Sequence, residues 1–274
     1  MLFDIYKITS KELLPHVQYI LFNHSRDNAY SKVITSFANT NICLGIINQK
    51  KLVNGPGGVK GTEAKNGIYS YLSGMYLAPH KFEASGSLDE ICIDFTPLGY
   101  YHFFRLPLKT YIIEEDVLTE TWGAAAKPFF EAVFSVADLQ KRGALIEAFL
   151  LKRFINHQTP LLQECLYDIH NAKNDLTLKQ LAKQLRCSEK KVVRAFLARF
   201  DLTPKDYLRI VKFRRTLQLL HHAPGENLTS VAHQSGYYDQ SHFIKDIRFF
   251  TEKSPKEIRA ALHNVKQHVI IGLE

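Results

Sequence analysis

The sequence predicts an α+β chain: a small β-barrel or sandwich, then helices, then an all-α region built twice over. Three observations carry this reading. Through residues 31–95, short β-branched and aromatic runs alternate with a glycine-rich turn. After Thr96-Pro97 the texture becomes helical. Across residues 176–262 one pattern of caps and apolar positions occurs twice, with a spacing of 50 to 51 residues.

The strand signals fall at residues 42–47, a continuous apolar run, and at 68–72 and 91–95, which are short, aromatic and partly alternating. Asn54-Gly55-Pro56-Gly57-Gly58 reads as the turn between the first two. Farther on, Ser135-Val-Ala-Asp138 has the form of a capping box, with Ser135 as the cap. The helix after it, read through Phe154, places Leu139, Ile146, Phe149 and Leu150 near one face. That face suits docking on the sheet, and pairing with a second subunit is compatible with it. Polar breaks at 156–160 and 171–175 bracket a domain boundary placed near Asn156. The expected division is 1–156, 157–265 and a C-terminal tail, 266–274.

In the first repeat, Thr177 and Gln180 form a capping box that opens a helix over residues 178–185. Arg186-Cys187 is a tight connection, and Ser188 caps a second helix that ends near Phe200. Val192, Phe196 and Phe200 recur every four residues on its buried side. Thr203-Pro204-Lys205-Asp206 then starts a connector read as running to His221, about 17 residues or roughly 26 Å. The second repeat begins at Leu228, turns at Gly236-Tyr237-Tyr238 and starts its second helix at Asp239, with Phe243 and Ile247 inward. Ser254-Pro255-Lys256-Glu257 repeats the capped start. Two short helices joined tightly, with polar and basic residues early on the second, form a helix-turn-helix.

The charge is confined in the same way. Residues 175–262 hold 17 Lys and Arg against 9 Asp and Glu, which accounts for the whole net charge of +8; the remainder is neutral. A neutral N-terminal part and a basic helical part imply a long polyanion as partner, with double-stranded DNA leading. Cys43, Cys92, Cys165 and Cys187 show no paired spacing, so they read as buried thiols in a reducing compartment rather than metal ligands. No secretory leader and no apolar run of about 18 residues is read, so the chain is expected to be cytoplasmic and off the membrane. Serine-elbow, phosphate-loop and zinc-protease motifs are missing from the sequence, and no catalytic residue, metal or cofactor is expected.

The run Gly236-Tyr-Tyr-Asp-Gln-Ser-His-Phe243, then Ile247, then Ser254-Pro255, resembles the C-terminal signature of AraC/XylS-type transcriptional regulators. The first repeat and the connector match as well, so the resemblance covers residues 161–262. It implies two helix-turn-helix subdomains that enter successive major-groove segments. Position-matched DNA contacts fall on Lys190, Val193 and Arg194 in the first reading helix. In the second they fall on Gln240, Ser241, His242 and Lys245. With Ser188, Lys191 and Arg248 these make the expected DNA-binding set. Gln suits adenine, and Arg or Lys suits guanine or phosphate. Two departures stand out: the family usually has Gly before each Ser/Thr-Pro cap, where this chain has Asp201 and Glu252, and Ile247 replaces a usual Phe.

Residues 93–107, from Ile93-Asp-Phe-Thr-Pro97 onward, with Leu118 and Trp122-Gly123, resemble the sensor domains of one subset of that family, cupin-like barrels followed by helices. This resemblance implies a small-molecule effector; by residue type, Tyr69, Tyr71, Tyr76, His80, Phe82, Phe95 and Tyr101 are candidates to line its pocket, with ordinary barrel core as the alternative. RNA polymerase and a second copy of the chain are further candidate partners. Two alternatives stay open: a cupin-like enzyme with an appended DNA-binding domain, and a ligand-independent regulator whose first domain only dimerises.

Overall fold

The computed structural model describes residues 2–29, 31–55, 58–104, 111–112, 117–172, 176–262 and 272–273. Pro56 and Gly57 of the predicted turn, Arg105–Pro107 of the sensor resemblance and most of the 266–274 tail lie outside them. The chain divides into two compact units. The first comprises Met1–Val33, Asn41–Gly74 and Phe82–Gln158; the second comprises Ile34–Thr40, Met75–Lys81 and Thr159–Glu274.

The first unit is built on strands β1 (Leu2–Tyr6), β2 (Val17–Ser25), β4 (Ile42–Gly55), β5 (Gly58–Ser73), β6 (His80–Ser85) and β7 (Leu88–Phe95). A further strand, β3 (Ser31–Ser36), precedes β4, and a short β8 (Tyr111–Ile112) pairs with β5. The spatial order is β1-β2-β7-β4-β5, antiparallel throughout, with β6 parallel to β5 at its outer end. One continuous sheet is the barrel side of the barrel-or-sandwich expectation. The three predicted strands are present, but β4 and β5 are much longer than their apolar runs, and β1, β2, β3 and β6 had no separate signal.

The register sorts side chains into two faces because successive residues point to opposite sides of a pleated strand. On one face Ile20, Ile93, Leu44 and Leu72 lie in a row across the sheet, and Phe22, Ile91, Ile46 and Ser70 lie in the next. All the apolar members are essentially inaccessible. Three helices follow the strands: α1 (Val117–Trp122), α2 (Ala126–Phe134) and α3 (Leu139–Leu151). They cover this apolar face. The Leu118 N–H donates to Ser70 Oγ at 3.1 Å, Arg142 forms a two-pronged pair with Asp89, and the Tyr6 hydroxyl donates to Glu147 at 2.6 Å. The apolar stripe of α3 therefore docks on the sheet, with Ile146, Phe149 and Leu150 buried.

The cap of α3 is Asp138, whose carboxylate accepts from the N–H groups of Gln140 and Lys141. Ser135, the expected cap, instead closes the C-terminus of α2. Asp138 has the extended backbone an N-cap needs, and Ser135 is still in the helical region, which is why Asp138 takes the role.

The second unit carries helices α4 (Pro160–Asn171), α5 (Leu178–Gln184), α6 (Glu189–Phe200), α7 (Pro204–His222), α8 (Leu228–Gln234), α9 (Gln240–Thr251) and α10 (Pro255–Leu262). The connector α7 has 19 residues, about 28 Å, slightly longer than read because it continues to His222. The arrangement, a sheet followed by helices and then two helix-turn-helix subdomains on a long helix, is the α+β organisation the sequence predicts.

Candidate nucleic-acid interface

Each reading helix is fixed by local chemistry at both ends. Ser188 Oγ accepts from the Lys191 N–H at the start of α6, and Asp239 Oδ1 accepts from the His242 N–H at 2.7 Å at the start of α9. Both helices stop at a residue in the left-handed region, Asp201 (φ 54°) and Glu252 (φ 58°). These are the positions where the family usually has glycine, and the backbone shows the reason. The turns that lead into the helices match too. Arg186 (φ 48°) and Gly236 (φ 78°) both take left-handed backbone, and Cys187 and Tyr237 donate to the carbonyls of Ala182 and Ala232 at 3.0 and 2.9 Å. Thr203 then caps α7, and Ser254 forms a reciprocal cap with Glu257 at α10.

The inner faces hold the helices against α7. In the first subdomain Phe196, Phe200 and Tyr207 form an aromatic cluster with centroids 5.3 to 5.9 Å apart. In the second, Phe250 stacks on Phe213 of α7 at 4.5 Å, and Tyr237 packs on Phe243. With these residues buried, the remaining faces of α6 and α9 are forced outward.

On α6, Lys190, Lys191 and Arg194 are exposed, and Val193 is half-buried beside them. On α9, Gln240, Ser241, His242, Lys245 and Arg248 are all exposed. Among the described residues, none of Lys190, Lys191, Arg194 and Lys245 pairs with an acid. Arg248 lies near Glu257, whose carboxyl is held below its usual range, first by its hydrogen bonds from Ser254. Ser188 already serves as a cap acceptor, leaving its hydroxyl proton for donation.

The connector cations behave differently. Arg209 forms an ion pair with buried Asp246 at 2.7 Å and lies over the Phe249 ring. Lys212 donates to the Gly236 carbonyl at 2.6 Å, and Arg215 donates to the Ile169 carbonyl at the end of α4. These side chains hold the unit together, whereas the charges free for an external partner are on the reading helices. Sequence reasoning could not separate the two sets.

It also passed over Tyr238, which is 90% exposed and sits immediately before the Asp239 cap of α9. The signal was there: two adjacent tyrosines in a turn too short to bury both. A phenol at the entrance of a reading helix is a hydrogen-bond donor for a phosphate.

The candidate effector residues separate into three places. Tyr69, Tyr71 and Phe82 pack together against Ile47, Leu52, Val59 and Leu88. Tyr76 and His80 form an edge-on pair at 4.4 Å in the second unit. Phe95 and Tyr101 do not join the first group: Phe95 is inaccessible among Phe103 and Phe104, and Tyr101 packs on Tyr100. Phe95 follows Ile93 and Ile91 in register, which puts it on the helix-covered face.

The opposite face carries three rows across β2, β7, β4 and β5: Tyr19-Asp94-Cys43-Ser73, Leu21-Cys92-Gly45-Tyr71 and Asn23-Glu90-Ile47-Tyr69. Tyr71 lies across Gly45, where a Cβ would come within 2.1 Å of its ring, and its hydroxyl donates to Glu90 at 2.8 Å. Asn23 Nδ2 donates to the other Glu90 oxygen at 2.7 Å. Glu90 and Asn23 were not among the expected residues, since their meeting depends on a register that no local pattern encodes. Among the described residues no group of three His, Cys, Asp or Glu is placed to hold a metal ion. No described helix is long and apolar enough to cross a membrane.

Comparison with known proteins fits this geometry. Residues 181–261 match the family model described as "Helix-turn-helix domain". Among solved structures, a transcriptional regulator from Chromobacterium violaceum, of the AraC-type DNA-binding domain-containing proteins, is 22% identical. It covers 38% of this chain and 94% of its own, with a TM-score of 0.36. The C-terminal domain of the response regulator yesN from Fusobacterium nucleatum is 22% identical over 37% of this chain and 99% of its own, with a TM-score of 0.35. ToxT from Vibrio cholerae is similar over 88% of this chain and 98% of its own, at 11% identity and a TM-score of 0.47. A search of curated proteins finds no match. Residues 181–261 form a helix-turn-helix domain, and the chain is a DNA-binding transcription regulator.

Proposed function

We propose that α6 and α9 are inserted into successive major-groove segments of double-stranded DNA, and that the two helices read different bases. The carrying observation is the contrast between connector cations engaged inside the unit and reading-helix cations that are exposed and unpaired. Lys190, Lys191 and Arg194 serve the first segment; Gln240, Ser241, His242, Lys245 and Arg248 serve the second. Ser188 and Tyr238 donate to phosphates, and Val193 touches a thymine methyl. The connector of about 28 Å, plus the widths of the helices, approximates one turn of B-DNA, roughly 34 Å. Because one reader is Lys/Arg-rich and the other begins Gln-Ser-His, a single chain favours an asymmetric site.

We assign residues 1–156 to effector sensing and dimerisation, 157–265 to DNA binding and 266–274 to a tail. In this reading the chain has no catalytic role, acts in the cytoplasm, where its duplex lies, and signals to RNA polymerase from the bound site.

The test begins with in-vitro selection of bound duplexes, followed by fluorescence anisotropy on the selected site. Arg194→Ala and Lys245→Ala should each weaken binding by about 1–3 kcal/mol and relax base preference in opposite halves of the site. A phosphate-only role would instead lower affinity uniformly and reduce the salt slope by about one. Full affinity in the double variant would overturn the assignment.

A further inference from the structure

We propose that the polar face of the N-terminal sheet binds a small organic cation bearing N–H donors, an amidine, guanidine or protonated amine, through Glu90 and Asn23. The proposal deepens the sensor reading above and shares its site.

The first support is a mismatch of donors and acceptors. Asn23 and Glu90 face each other across β2 and β7 and are 8% and 4% exposed. Among the described residues Glu90 has no cationic partner; its carboxylate is met by the amide of Asn23, the hydroxyl of Tyr71 and the thiol of Cys92, all neutral groups. The Asn23 amide nitrogen is thereby committed to Glu90, with Cys92 Sγ at 3.6 Å. Its carbonyl, Oδ1, is buried with no hydrogen-bond partner. A buried acceptor left unmade costs about 1–3 kcal/mol, and a buried carboxylate without a counter-charge costs more. Burial accordingly holds the Glu90 carboxyl above its usual range. The missing component is a donor, and a positive one.

The second support is the shape and chemistry of the surround. The opposite face is sealed by α1, α2 and α3, while on this face Tyr19, Cys43, Tyr69, Tyr71 and Ser73 are only half-buried. A ligand therefore meets aromatic faces on its way to the acid, and such rings attract cations. Gly45 supplies the floor that lets Tyr71 lie flat and reach Glu90. Asp94, 7% exposed on the same face, adds negative potential. An anion would be repelled here, and a neutral acceptor would leave Asn23 Oδ1 as it is.

Calorimetry on the full chain tests this with benzamidine, methylguanidine and agmatine against benzamide and benzoate, each up to about 10 mM. At least one cation is expected to bind, with benzamide and benzoate silent. Glu90→Gln, nearly isosteric, should weaken that cation by about tenfold or more, and Asn23→Ala severalfold, with folding checked by circular dichroism. Silence from all three cations, equal binding of benzoate, or unchanged affinity in both variants would overturn the proposal. Should Glu90→Gln not fold, Asn23→Ala decides alone. A neutral or anionic ligand on this face would remove the cation proposal and leave the sensor reading standing. Cation binding with no change in duplex affinity would do the reverse.

Discussion

In the first helix-turn-helix the chain turns through Arg186 at φ 48°, and fifty residues later the second turns through Gly236 at φ 78°. The two reading helices then stop at Asp201 and Glu252, again both left-handed. Between these matched points the side chains diverge: Lys190, Lys191 and Arg194 on α6, Gln240, Ser241 and His242 on α9. The comparison teaches which features a repeat must keep. Caps and left-handed turns are demanded by backbone geometry and persist even where the residue is poorly suited to it. Outward positions are constrained only by the partner, so they are free to differ.

The halves differ inside as well. Asp246 of α9 is buried and paired with Arg209, whereas the matching position of α6, fifty-one residues earlier, is Ala195. Asp246 thus ties the second subdomain to the connector by an ion pair that Ala195, at the matching position, cannot make. Arg209→Met should strand the Asp246 carboxylate and give the largest loss, about 2–3 kcal/mol, discounted because Arg209 is a third exposed. Adding Asp246→Ala should restore part of it. Urea unfolding of the two variants and wild type measures both, and a purely additive double variant would show that the pair contributes nothing.

The turns give a smaller, opposite-signed contrast. Gly236→Ala places a Cβ at positive φ and should destabilise by about 1–2 kcal/mol. Arg186→Gly at the equivalent turn should stabilise by up to about 1 kcal/mol, because relief of strain exceeds the added freedom of the unfolded chain. Asp201→Gly and Glu252→Gly should each gain about 0.5–1 kcal/mol for the same reason. Thermal melts settle the signs; destabilisation by all three glycine substitutions would mean that these side chains contribute more than their backbones cost.

Much of the helical unit was legible because its signals are local. Thr177 with Gln180, Ser188, Thr203 and Ser254 are caps whose partners lie within three residues, and the structure forms each of them. The fate of Arg209, Lys212 and Arg215 was not legible: their partners are 24 to 46 residues away, across tertiary contacts. The sheet shows the same limit. Residues 42–47 and 91–95 announced themselves as strands, yet the two faces follow from register, which pairs Asn23 with Glu90 across 67 residues. Phe95 and Tyr71 are both aromatic strand residues by sequence; one closes the core and the other reaches the polar face. Composition alone cannot tell them apart.

The smallest expected effect separates the halves by pH. His170 of α4 sits against the first subdomain, its Nε2 3.0 Å from the Tyr207 hydroxyl. Burial, and then the charge of Arg215, hold its imidazole below the usual value of 6.5. The unfolded chain therefore takes up the proton more readily than the folded one. The stabilisation from a neutral His170 is complete above about pH 6.5 and is lost as pH falls through that value toward the lower folded one. Because part of the ring remains exposed, the loss should be modest. Amide exchange followed residue by residue between neutral and mildly acidic pH should show α6 and the start of α7 losing protection before α9 does. His170→Gln should flatten that difference. Equal losses in α6 and α9, or no change on substitution, would mean that the halves share one acid response and that His170 does not set it.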